Sequence, residues 1–182
     1  MTAPPDPDSG SPRDAPPRRR PRRPGLVVDA SVTMAWGLAD EVTPLTESLL
    51  DRVRTEGTVV PAHWLLEVAN IMGNAERHGR ATADDRARFF TLLQALRATQ
   101  RIRIAPLDDR FVFRQVWELM QRYGLTSYDA AYLELAIRRG LPLATFDAAI
   151  QEAARQERVP LVGDVIESEG IESEGLERPA GA

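Results

Sequence analysis

The chain has 182 residues, is 43% apolar, carries a net charge of −4 and contains neither cysteine nor lysine, so its 23 basic residues are all arginine. That length suits one domain with a substantial core. The missing residues exclude disulfides, thiolate nucleophiles, Cys-based zinc sites and lysine-dependent phosphate or Schiff-base chemistry, and the negative balance excludes holding nucleic acid by bulk electrostatics. No apolar run approaches the ~20 residues that span a bilayer, and nothing resembles a secretory h-region. The expectation is a cytoplasmic protein with no membrane partner.

Residues 1–24 read as a disordered Arg/Pro-rich tail without apolar periodicity, ending in Arg18-Arg19-Arg20-Pro21-Arg22-Arg23-Pro24. A basic arm that touches RNA is the functional alternative. From residue 25 to 165, short β-branched runs alternate with helical periodicity. Leu26–Asp29 reads as a strand with a helix from Ser31, and Thr43–Glu56 as a helix with Leu45, Leu49, Leu50 and Val53 on one face. Thr58–Pro61 is a strand, followed by a helix from Ala62 to His78 that Gly79 stops. Its core candidates are Leu65, Val68, Ile71 and Met72. Thr82-Ala83-Asp84-Asp85 forms a capping box for a helix to Ala98. Arg101–Ala105 is a strand, and Asp108 or Asp109 caps a helix to Tyr123. Thr126 opens another helix that Gly140 ends, Pro142–Thr145 is a strand, Asp147–Gln156 a helix and Val159–Val162 a last strand. Residues 166–182 repeat Ile-Glu-Ser-Glu-Gly twice and read as a disordered acidic tail. Strands alternating with helices predict an α/β fold on a mainly parallel sheet, whose functional residues gather at the carboxyl ends of the strands.

Four acids fit that geometry. Asp29 and Asp147 each end a strand just before a helix, where an N-cap is the structural alternative. Asp129 lies in Thr126-Ser127-Tyr128-Asp129, which also has capping-box form. Glu67 shares a helical stripe with His63, Asn70 and Asn74, at i, i+4, i+7 and i+11. That stripe lacks the arginines of the other outer helix faces, so it is expected to face a site. Carboxylates brought together repel one another unless protonated or neutralised by metal. Oxygen ligands suit Mg²⁺ or Mn²⁺. Two such ions about 4 Å apart activate a water and stabilise the leaving oxygen of a phosphodiester. Two histidines, His63 and His78, are too few for a His-rich zinc site.

Val27-Val28-Asp29-Ala30-Ser31-Val32, Leu66-Glu67-Val68-Ala69-Asn70, Thr126-Ser127-Tyr128-Asp129-Ala130-Ala131-Tyr132-Leu133 and Pro142-Leu143-Ala144-Thr145-Phe146-Asp147 together resemble PIN-domain nucleases. The nearest likeness is to the VapC toxins of type II toxin–antitoxin pairs, over roughly residues 26–164. The resemblance implies a three-layer α/β/α sandwich and Mg²⁺- or Mn²⁺-dependent endonucleolytic cleavage of RNA. It implies that Asp29, Glu67, Asp129 and Asp147 are catalytic and bind metal, and that Ser31 and Thr145 support the cluster; Asn70, beside Glu67, would orient a water or phosphate. It also implies a homodimer held inactive by a cognate antitoxin. The helix of Asp84–Ala98, with Phe89, Phe90, Leu93 and Leu96, is the first candidate for that surface and Phe111, Phe113 and Trp117 form another, although core packing is the commoner fate of each of these residues. A receiver or Asp-nucleophile phosphatase fits less well, because no lysine is present and Asp29-Ala30-Ser31 breaks the D-x-D pattern. A non-catalytic PIN-like binding or assembly module remains the alternative.

Overall fold

The computed structural model describes residues 24–106 and 108–162; both tails and residues 163–165 lie outside the described residues. Four short strands, β1 (Leu26–Val28), β2 (Thr58–Val60), β3 (Ile102–Ile104) and β4 (Leu143–Ala144), form one parallel sheet in the order β3-β2-β1-β4. Val27 pairs with both Val59 and Leu143, so β1 is central. Its three residues are all but inaccessible, as expected where helices cover both faces of a parallel sheet. The helices are α1 (Ala30–Met34), α2 (Pro44–Glu56), α3 (Trp64–Arg77), α4 (Ala83–Ala98), α5 (Trp117–Tyr123), α6 (Ser127–Arg139) and α7 (Ala148–Gln156). The architecture is the expected three-layer α/β/α sandwich.

Local chemistry sets the helix boundaries. Thr82 and Asp85 complete the expected capping box of α4: Thr82 Oγ1 accepts the Asp85 N–H, and Asp85 accepts the Thr82 N–H. Gly140 ends α6 in the left-handed region at φ 61°, where an L side chain is strained, and the chain turns there into β4. The helix that orients the site, α3, packs on α1 through Trp64. This fully buried side chain donates its indole N–H to Thr33 Oγ1 at 3.1 Å. Truncating it to alanine would cost about 3–5 kcal/mol.

Several elements differ from the sequence reading. Val159–Val162 contributes only one parallel bridge, Leu143 to Leu161, in place of a fifth strand. The helix capped by Asp108 winds as a π-helix over Phe111–Val116 before α5, an irregularity that periodicity does not reveal. A 3₁₀ turn at Ala39–Glu41 follows α1. On α3, Val68 and Met72 are buried as expected, but Leu65 is exposed. The apolar face of α4 is spent on the core, with Phe89, Leu93 and Leu96 buried and Phe90 packed against them. Phe113 and Trp117 of the other candidate surface are exposed.

Candidate active site

The chain leaves three of the four strands at one pole of the sheet and delivers polar residues there. Asp29 follows β1 at the N-cap position of α1, yet its side chain makes no capping hydrogen bond. At 4% exposure it is buried, and its Oδ2 accepts from Ser31 Oγ at 2.9 Å and Thr145 Oγ1 at 2.6 Å. Both hydroxyls are aimed by the backbone. Ser31 Oγ accepts the Phe146 N–H at 3.1 Å and Thr145 Oγ1 accepts the Asp147 N–H at 3.1 Å, so each hydroxyl proton is left to point at Asp29. Asp129, in the first turn of α6, is held the same way. Thr126 Oγ1 accepts the Asp129 N–H at 3.2 Å and donates to Asp129 Oδ2 at 2.7 Å. The capping geometry therefore does not exclude a site role for this residue.

Glu67 comes from the first turn of α3, after β2. Its Oε2 accepts from the Tyr132 hydroxyl of α6 at 2.7 Å, and His63 Nε2 lies 3.6 Å from the same oxygen. Burial holds His63 below its ordinary pKa, only partly offset by Asp129, so this contact is that of a neutral imidazole rather than an ion pair. The His63 ring packs between Tyr128 and Tyr132, each at a centroid distance of 5.1 Å, and its Nε2 has no hydrogen-bond partner.

Burial raises the pKa of Asp29, with the hydroxyls of Thr145 and Ser31 opposing. Burial likewise raises that of Glu67; the Tyr132 hydrogen bond opposes, while the charges of Asp29 and Asp129 push it further up. These mutual effects place Asp29, Glu67 and Asp129 in one electrostatic site. Asp147 is joined to it through Thr145, but its own carboxylate accepts the Ile150 N–H at 2.9 Å and caps α7. Asn70 is exposed one turn beyond Glu67 on α3, outside this hydrogen-bond network. Sequence reasoning missed Tyr132 and the Tyr128–His63 packing. The available signal was spacing: Asp129 with Tyr132 at i, i+3 on α6, and His63 with Glu67 at i, i+4 on α3.

The profile of the PIN domain matches residues 26–156. The chain belongs to the PIN-domain family. Its fold is also similar to the crystal structure of PAE2754 from Pyrobaculum aerophilum, with a TM-score of 0.52 and 22% identity over 71% of this chain and 84% of that one. No curated protein matches the sequence. PIN domains form a superfamily of metal-dependent nucleases, typically using Mg²⁺. Among the described residues of this PIN domain, no helix is long and apolar enough to cross a membrane.

The chemistry of the donor set fits a hard divalent cation. Asp29, Glu67 and Asp129 offer oxygen only, and their partners are neutral hydroxyls. Among the described residues no arginine forms an ion pair with any of the four acids, although arginines pair with Asp40, Glu41, Glu76, Asp108, Glu134 and Glu157 elsewhere. Among the described residues, no three acidic or histidine side chains are gathered into a closed ligand set. An ion bound here would therefore compete with the hydroxyls for the carboxylates.

Proposed function

We propose that this PIN domain is a Mg²⁺- or Mn²⁺-dependent endoribonuclease, the cytoplasmic toxin of a type II toxin–antitoxin pair, with Asp29, Glu67, Asp129 and Asp147 as its metal-binding catalytic acids. The observation that carries this reading is a pair of desolvated carboxylates, Asp29 and Glu67, near Asp129 at the carboxyl pole of a parallel sheet, with no arginine ion pair to any of them among the described residues. Asp29 and Asp129 would hold the ion, with Glu67 beside them and Asp147 completing the set from the start of α7. Bound divalent ions supply Lewis acidity to the scissile phosphate and lower the pKa of water. The protein orients the acids. Ser31 and Thr145 fix the carboxylate plane of Asp29, Thr126 fixes Asp129 and Tyr132 fixes Glu67. The domain also keeps Asp29 dry, which strengthens its attraction for a cation. Asn70, at the rim beside Glu67, would contact phosphate or water.

A homodimer and a cognate antitoxin belong to the same proposal. With the α4 face buried, the apolar surface left for them includes Phe113 at 80% exposure, Leu66 at 76% and Trp117 at 55%. The open ligand set favours one second reading, a module that binds nucleic acid without cutting it. Cleavage of total RNA by purified protein, with Mn²⁺ or EDTA and beside Asp129→Ala, separates the two. Cleavage that needs both metal and Asp129 supports the nuclease. A folded protein that binds Mn²⁺ by calorimetry yet leaves all RNA intact supports the binding module.

A further inference from the structure

Tyr128 directly precedes Asp129 and is 59% exposed. Phe146, beside Asp147, is also open at 43%, but the Tyr128 ring is held in place by other rings. It packs on His63 at 5.1 Å with the planes at 51°, and His63 packs edge-on against Tyr132 at 5.1 Å and 81°. Tyr132 is fully buried and anchored to Glu67. A column of three rings thus runs from the core to the surface beside the acids, and only its outermost ring is open.

Away from a bound ion the acids make the surroundings of this ring unfavourable to phosphate, and among the described residues none of the four has an arginine ion pair to offset the charge. Affinity close to the cut, beyond what a bound ion gives the scissile phosphate, must then come from the uncharged part of a nucleotide. A fixed, exposed aromatic ring provides that through base stacking, which tolerates any base. Bases inside a duplex have both faces covered, so an unpaired base is the one that can reach such a ring.

We propose that Tyr128 is a stacking platform for an unpaired base of the RNA beside the scissile phosphate, and so selects single-stranded segments. The proposal rests on the ribonuclease reading. Tyr128 touches substrate and takes no part in holding the ion. Its competing role is structural, as a cover for His63.

The test compares wild type, Tyr128→Phe, Tyr128→Leu and Trp117→Leu, the last removing an exposed ring on α5. Equilibrium binding by fluorescence anisotropy uses oligoadenylate of about ten nucleotides, an abasic strand of the same length and the oligoadenylate annealed to its complement, all in Ca²⁺. Wild type, Tyr128→Phe and Trp117→Leu are expected to bind the single strand on the order of 10-fold tighter than the abasic strand or the duplex. In Tyr128→Leu that ratio should fall towards one. On a cleaved RNA, the same variant should raise KM on the order of 10-fold and leave kcat nearly unchanged. A base-to-abasic ratio that persists in Tyr128→Leu overturns the proposal, as does binding of neither strand by wild type. A Tyr128→Leu protein that loses kcat with unchanged KM assigns the ring to support of His63 instead. Failure of wild type to cut any RNA counts against the nuclease reading alone, because the binding arm still decides whether Tyr128 stacks a base.

Discussion

Asp29 and Glu134 are buried to nearly the same degree, at 4% and 5% exposure, but they are treated in opposite ways. Glu134 lies on α6, where Arg138 one turn later grips both oxygens, at 2.6 Å and 3.1 Å. The Arg138 guanidinium in turn stacks over the Phe111 ring at 4.2 Å. Charge, hydrogen bonds and packing are all satisfied within the chain. Asp29 receives neutral donors, chiefly the hydroxyls of Ser31 and Thr145, which orient its carboxylate without neutralising it. A buried carboxylate without a counter-charge is costly unless something outside the chain supplies one. The pair at Glu134 is architecture, whereas the pole at Asp29, on the proposed reading, is where a cation from outside the chain would bind.

Substitutions on the two sides should therefore separate activity from stability. Asp29→Asn keeps the size and the hydrogen-bonded position of the side chain but removes its charge. Cleavage is expected to fall at least about 1000-fold, or ~4 kcal/mol of transition-state stabilisation, with no loss of thermal stability. Unchanged cleavage, or unfolding of a variant that ought to relieve repulsion, would remove Asp29 from the centre of the site. Arg138→Met should do the reverse. It leaves Glu134 buried without a partner, and about 2–3 kcal/mol of stability should be lost, somewhat less than for a fully enclosed pair. That corresponds to a fall in Tm of about 5–10 °C by calorimetry. Cleavage below the new melting range should be retained, and a variant as stable as wild type would show that the pair contributes nothing.

The part of this contrast that was legible in the sequence is the part set by short-range rules. Asp29, Asp129 and Asp147 stand out because each sits where a strand ends or a helix begins, and Glu67 because its stripe on α3 lacks arginine. Strands β1 to β4 are β-branched or apolar runs bounded by helices, and they formed where expected. Partners that arrive from far along the chain were not legible by such rules. Tyr132 reaches Glu67 across 65 positions, and only tertiary packing decides such a meeting; Thr145, which reaches Asp29 across 116, was legible only through the family resemblance. The α4 face took the commoner fate of such residues, core packing, rather than the docking role also considered for it, because amphipathic periodicity shows that a face is covered without showing what covers it. The last strand was shortened for a related reason: Val159–Val162 has strand composition, but only Leu161 finds a ladder partner beside β4.

The smallest expected effect sharpens the comparison through pH. Burial raises the pKa values of Asp29 and Glu67, so between about pH 4 and those raised values the folded state keeps protons that the unfolded chain has released. Their contribution to stability accordingly falls as pH rises through that window and stays low at neutral pH. An acid paired with arginine behaves in the opposite sense. Asp108 is drawn down to about 2 by Arg110, so its contribution is present above its ordinary range and is lost as pH falls towards 2. His63, held neutral by burial, also favours the folded state as pH rises towards its ordinary value, which partly masks the acids in the total. The informative quantity is thus the difference in unfolding free energy between wild type and Asp29→Asn, measured in EDTA by urea denaturation from pH 4 to 8. Wild type should lose ground to the variant as pH rises, and Mg²⁺ should restore it at neutral pH, since an ion that binds only the folded state adds stability by mass action. A difference that stays flat across the range, or is indifferent to Mg²⁺, would mean that the hydroxyls around Asp29 already meet its electrostatic need and that this pole resembles Glu134 more than its chemistry suggests.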